Sequence, residues 1–204
     1  HAPLAQPLRP LCLDDEPSDT AALDEAVAEV RAMLASARRP AILAGAEIAR
    51  FGLQEDLTRL VEQLNVPIAS TLLGKSVIRE DHPLYVGIYG GFIARDEVQQ
   101  FINQSDCLLI LGSILSDVED LNADSPLMTG GRTIHATADR VAIKHHRYDA
   151  IRFQDFVRAL VINPLPSFPS RPLPAPLAVS QGAIAPDAPV PLAGLFRHLD
   201  SLLN

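Results

Sequence analysis

Residues 41–45 read Ala41-Ile42-Leu43-Ala44-Gly45, and residues 105–112 read Ser105-Asp106-Cys107-Leu108-Leu109-Ile110-Leu111-Gly112. Both are short apolar runs that end at a glycine and never alternate with polar residues. A strand with one wet face alternates, whereas a run like these belongs to a strand buried on both faces, as in a parallel sheet covered by helices. These two runs decide the fold class, and the sequence on either side of them agrees.

Upstream of Ala41, Leu23, Val27, Val30 and Leu34 fall at helical spacing over residues 20–37. Ser18 and Asp19 stand in front as N-caps, and Arg38-Arg39-Pro40 ends the helix. Downstream, Leu53, Leu57, Leu60, Val61 and Leu64 line a second helix. Asn65-Val66-Pro67 then turns into a strand over Ile68-Ala69-Ser70-Thr71. A third helix over 96–103 carries Val98, Phe101 and Ile102. Weaker strands follow at 133–136 and 141–143, and Phe153, Phe156, Val157, Leu160 and Val161 mark a last helix. Strands alternating with helices through short connections predict an α/β, Rossmann-like, doubly wound and mainly parallel sheet of about five to six strands, with helices on both faces.

The flanks have a different composition. Residues 1–19 are rich in proline and aspartate with no period, and read as an N-terminal linker. The central domain spans 20–163. Nine prolines fall between Pro164 and Pro191, so 164–191 reads as an extended interdomain linker. Leu192, Leu195, Phe196, Leu199, Leu202 and Leu203 then mark an amphipathic helix over 192–204 whose apolar face has no partner in the chain. The sequence starts at His1 and stops at Asn204 directly after that run, so both ends are expected to be cut.

At 204 residues and 48% hydrophobic composition, the chain has ample material for a packed core. A formal charge of -8 disfavours nucleic-acid and anionic-membrane partners, which call for a basic face. No run of about 18 apolar residues is present to span a membrane. The two cysteines, Cys12 and Cys107, share no metal spacing and suit a cytoplasmic setting.

Candidate chemistry is sparse. Each main strand ends at a small residue (Gly45, Thr71, Gly112), where a doubly wound sheet opens its ligand crevice. Yet Ala44-Gly45-Ala46-Glu47 lacks the later glycines of a dinucleotide fingerprint. Gly45, Gly112 and Asp139 therefore mark at most a vestigial nucleotide crevice. Gly74-Lys75-Ser76 has no upstream glycine at phosphate-loop spacing and reads as a turn. Lys144-His145-His146-Arg147 reads as a solvated loop, since adjacent histidines on an extended chain face opposite ways. His82, before Pro83, sits in a turn with no thiol nearby in sequence. No metal site and no catalytic residue is expected.

The blocks Lys75-Ser76-Val77-Ile78, 81–90 (Asp81-His82-Pro83-Leu84-Tyr85-Val86-Gly87-Ile88-Tyr89-Gly90), 105–112, Leu115-Ser116-Asp117 and 42–48 together resemble the central domain of thiamine-diphosphate-dependent 2-keto acid decarboxylases. The likeness covers about residues 20–162 and is closest to the pyruvate, phenylpyruvate and indolepyruvate branch. It implies a parent enzyme, a lyase and homo-oligomer, that decarboxylates a 2-keto acid with thiamine diphosphate and magnesium. In that family the activating glutamate and the diphosphate-binding Gly-Asp-Gly lie in the N-terminal and C-terminal domains. No Gly-Asp-Gly occurs here, so this piece is expected to bind no cofactor and catalyse nothing alone, with the missing domains as its partners. The resemblance also supplies the alternative, because acetolactate synthases use this domain to hold FAD or ADP. Yeast-type relatives carry regulatory cysteines just after the first strand; Glu47 and Ile48 stand there instead. Glu47 is thus a candidate regulatory residue making an interdomain contact, with a solvated carboxylate as its ordinary fate.

Overall fold

The computed structural model describes residues 17–90, 94–114, 131–138 and 140–175, together with Leu195 and Leu199. Residues 1–16 of the N-terminal linker, Leu115-Ser116-Asp117, Asp139 and residues 176–191 lie outside the described residues. So does the 192–204 helix, apart from Leu195 and Leu199, which are helical with exposed side chains. The chain divides into two compact units, His1–Pro174 and Ala175–Asn204.

The first unit carries α1 (Thr20–Ser36), β1 (Pro40–Ala44), α2 (Glu47–Arg50), α3 (Gln54–Leu64), β2 (Ile68–Thr71), β3 (Tyr85–Tyr89), α4 (Asp96–Asn103), β4 (Cys107–Leu111), β5 (Thr133–Thr137), β6 (Arg140–Ile143), β7 (His146–Tyr148) and α5 (Phe153–Ile162). Asp19 caps α1, its Oδ1 accepting the N–H groups of Ala21 at 2.8 Å and Ala22 at 3.1 Å. Ser18 serves α5 instead: its hydroxyl donates to Asp155 and accepts the N–H of Arg152. Asn65 ends α3 in the left-handed region at φ 51°, a conformation asparagine tolerates better than most residues.

The sheet has seven strands in the order β3-β2-β1-β4-β5-β6-β7. β1 to β5 pair in parallel, and β6 and β7 add an antiparallel hairpin at one edge. In β1, Ile42 and Ala44 join one core cluster while Ala41 and Leu43 join the other. This two-sided burial is what the unalternated runs predicted. The larger cluster packs α1, α3 and α5 through Leu34, Leu57, Leu60, Phe153 and Phe156 against Ile42, Leu109 and Ile134. The smaller sets Val98 and Ile102 of α4 against Leu43, Ala69, Leu108 and Ile110.

Two strands exceed the sequence reading. β3 is a half-buried edge strand interrupted by Gly87 at φ 122°, so it lacks the apolar run of its neighbours. β7 corrects the reading of Lys144-His145-His146-Arg147 as a loop. Lys144 at φ 53° closes a hairpin, and His146 and Arg147 pair with Ile143 and Ala142. Their exposure was anticipated, but not their conformation. Glu29 of α1 holds the strand, facing His146 Nδ1 at 3.0 Å and accepting from the Tyr148 hydroxyl at 3.2 Å.

Candidate functional site

The order β3-β2-β1-β4-β5 reverses its direction of winding between β1 and β4, which makes the ends of those strands the topological switch point. Gly45 and Gly112 sit there, and the backbone joins them closely. The Gly45 N–H donates to the Leu111 carbonyl at 2.8 Å, the Glu47 N–H to the Gly112 carbonyl at 3.0 Å, and the Gly112 N–H to the Ala136 carbonyl at 2.8 Å.

The three turns pack closely where these glycines lack a side chain. A Cβ added to Gly45 would lie 2.3 Å from the Gly112 carbonyl oxygen and 2.4 Å from Ser113 Cα. One added to Gly74, in the turn after β2, would lie 2.4 Å from the Ala44 carbonyl oxygen and 2.9 Å from Gly45 Cα. Gly112, at φ 71°, is crowded by Ile48 N at 2.9 Å and by Glu47 Cβ and the Phe153 ring, both at 3.0 Å. The turns after β2, β1 and β4 are therefore stacked backbone on backbone. At each of these glycines protein atoms take up the place of the missing Cβ.

Glu47 completes the closure. The expectation of a solvated carboxylate is corrected: Glu47 is buried, and its Oε2 accepts the Ala138 N–H at 3.0 Å. This contact lies within the domain, between the turn after β1 and the turn after β5. It commits the Glu47 side chain to the domain's own backbone beside the switch point. His135, buried on β5, faces the Ser113 carbonyl through Nε2 at 2.9 Å. Sequence reading missed Gly74, Ala138 and His135 as members of this group, because β-strand neighbourhood rather than spacing brings them together. Asp139 lies outside the described residues.

The other candidates stay apart. Lys75 pairs with Glu80 at 3.1 Å on the surface, and Ser76 at φ 70° continues a turn rather than starting a helix. His82 accepts the Leu84 N–H on Nδ1 at 3.2 Å and places Nε2 3.6 Å from Glu62, a partner distant in sequence. Burial pushes the Cys107 thiol up to about 12, which leaves it protonated and unreactive. Two open pockets, about 420 and 470 Å³, lie away from the switch point, beside Thr58 and Ile78 and beside His82 and Ser170. No group of three or more metal-ligating side chains occurs among the described residues, and the sequence has no Gly-Asp-Gly. The described residues do not supply the ligand set of a magnesium diphosphate.

The family described as thiamine pyrophosphate enzyme, central domain, matches residues 27–162. The chain belongs to that family. Among curated relatives, this central domain is 30% identical over 145 residues to an indole-3-pyruvate decarboxylase of Azospirillum brasilense, covering 71% of this chain and 26% of that one. It is 37% identical over 111 residues to a probable acetolactate synthase large subunit of Methanococcus aeolicus, covering 54% and 18%. A solved benzoylformate decarboxylase from Polynucleobacter necessarius shares the fold, with a TM-score of 0.61 at 16% identity over 85% of this chain and 33% of that one. The central domain thus spans a third or less of each of these proteins. Among the described residues no helix is long and apolar enough to cross a membrane.

Proposed function

We propose that this chain is the non-catalytic central domain of a longer thiamine-diphosphate-dependent 2-keto acid decarboxylase. In this reading thiamine diphosphate and magnesium are held by other segments of the longer protein, which is cytoplasmic and homo-oligomeric. Residues 1–19 and 164–191 carry the connections to those segments, and 192–204 opens the next domain. Family membership and the decarboxylases among the relatives support the parent activity. The observation that supports the domain's own role is the switch point, where protein atoms crowd the missing Cβ positions of Gly45, Gly74 and Gly112. The likeness to an acetolactate synthase is what favours the rival reading, a module holding ADP or FAD. Against it stand the stacked glycines and the buried Glu47 carboxylate.

Thermal unfolding of the 204-residue chain with ADP, FAD, or thiamine diphosphate plus magnesium tests both readings. A ligand at 100 times its dissociation constant adds about 2.7 kcal/mol of stability. The domain is expected to show no shift with any of them. Stabilisation of that size by ADP or FAD would install the rival reading, and by thiamine diphosphate would show that this domain itself holds the cofactor.

A further inference from the structure

Residues 164–174 have the composition of a linker, but they lie docked on the domain. Arg31 Nε donates to the Pro164 carbonyl at 3.1 Å, and the Phe168 N–H donates to the Leu64 carbonyl at 2.8 Å. The Asn65 side-chain amide donates to the Phe168 carbonyl at 2.8 Å and to Ser170 Oγ at 3.2 Å. Arg171 donates through Nη2 to the Pro40 carbonyl at 2.8 Å, and its guanidinium lies 4.3 Å from the centre of the Phe101 ring, within cation–π range.

The apolar contacts give the path of the segment. Leu165 and Phe168 pack on the cluster beneath α1, α3 and α5, whereas Leu173 packs on the cluster beneath α4. The segment therefore crosses from one face of the sheet to the other, passing the start of β1 at Pro40. Prolines at 164, 166, 169, 172 and 174 suit this route. They restrict the undocked chain, which lowers the entropy lost on docking, and they carry no N–H groups needing partners.

The docking is also incomplete. The pocket of about 470 Å³ separates Ser170, Arg171 and Leu173 from His82, Pro83 and Leu84. Arg171 Nε is buried without a hydrogen-bond partner, and burial lowers the pKa of that guanidinium. An unfilled gap and a half-satisfied charge describe a contact that releases more readily than the core.

We propose that residues 164–174 are a releasable latch that fixes where the onward chain leaves the domain. Docked, the chain departs at Pro174 beside α4; released, it departs at the end of α5. Eleven residues of extended proline-rich chain reach at most about 34 Å at roughly 3.1 Å each, which bounds how far release can shift the point of departure.

Amide hydrogen exchange on the 204-residue chain tests this, with the Phe168 N–H as reporter. It should exchange at least about tenfold slower than in an unfolded chain. Asn65→Gly keeps the left-handed cap of α3, which glycine favours, but deletes both side-chain bonds to the segment. Phe101→Leu removes the ring under Arg171 and keeps apolar bulk. Each should speed Phe168 exchange by about threefold or more while α3 amides hold their rates. The latch is refuted if the wild-type Phe168 amide exchanges as in an unfolded chain, or if both variants leave its rate unchanged.

Discussion

Replacing Gly45 by alanine is the sharpest test of the closed switch point. The new Cβ would lie 2.3 Å from the Gly112 oxygen, 2.4 Å from Ser113 Cα and 2.5 Å from Ser113 N, against about 3.5–4.0 Å for ordinary contact. All three atoms are backbone, so no side chain can swing aside; the turns after β1 and β4 must separate by an ångström or more. Overpacking of that kind costs about 1–3 kcal/mol. The Gly45–Leu111 and Glu47–Gly112 hydrogen bonds cross the same seam, and loosening them adds about 1 kcal/mol each. A loss of roughly 3–5 kcal/mol is a large part of the 5–15 kcal/mol typical of a domain. Gly52→Ala is the control: at φ 65° with nothing within 4 Å of the added Cβ, it meets only the left-handed strain of about 1–2 kcal/mol. The stiffening of the unfolded chain by alanine is common to both variants and drops out of their difference. Urea unfolding followed by circular dichroism reads both. If Gly45→Ala falls within about 0.5 kcal/mol of wild type, the turns part easily, and the case against a nucleotide there collapses.

Glu47→Ala removes the acceptor of the Ala138 N–H and should cost about 0.5–1.5 kcal/mol in the same assay, whereas Glu47→Gln, which keeps an acceptor, should recover most of it. Equal losses would mean that the 3.0 Å contact contributes little. Cys107 is raised from 9.0 to about 12 by burial. Its neutral thiol favours the folded state fully below pH 9, and that contribution is lost as pH rises towards 12, at up to about 1.4 kcal/mol per unit. Stability measured from pH 8 to 10 should fall less steeply in Cys107→Ala than in wild type; parallel curves would show that the thiol ionises freely in the fold. Tyr148, also raised to about 12 from 10.0, is present in both proteins and does not enter the comparison.

The parallel core was legible because its strands are apolar throughout and its helices long enough to show a period. β1, β2 and β4 and the helices on either side follow from Ile42, Leu109, Leu57 and their neighbours with no tertiary information. β7 was not legible, since His146 and Arg147 have exposed polar side chains and the strand exists by pairing with β6 and by the hold of Glu29. Nor was α2, four residues long, which shows no periodicity. The docking of 164–174 escaped for a related reason: proline content reports that a segment is neither helix nor strand, and says nothing of whether Asn65, Arg31 or Phe101 waits to receive it.

The glycines show how far a motif carries. Missing fingerprint glycines made a nucleotide at Gly45 improbable, but absence alone gives no reason for the glycines that remain. Contact geometry gives one. Gly45 lies between the turn after β4 and Gly74, so its lack of a side chain is used by two backbones at once. A phosphate site needs a glycine whose missing Cβ faces open space and converging N–H groups. Here the Gly45 N–H is committed to Leu111, the Glu47 N–H to Gly112 and the Gly112 N–H to Ala136. Those three N–H groups already hold the sheet's own turns together, so a phosphate that recruited them would have to break these bonds first.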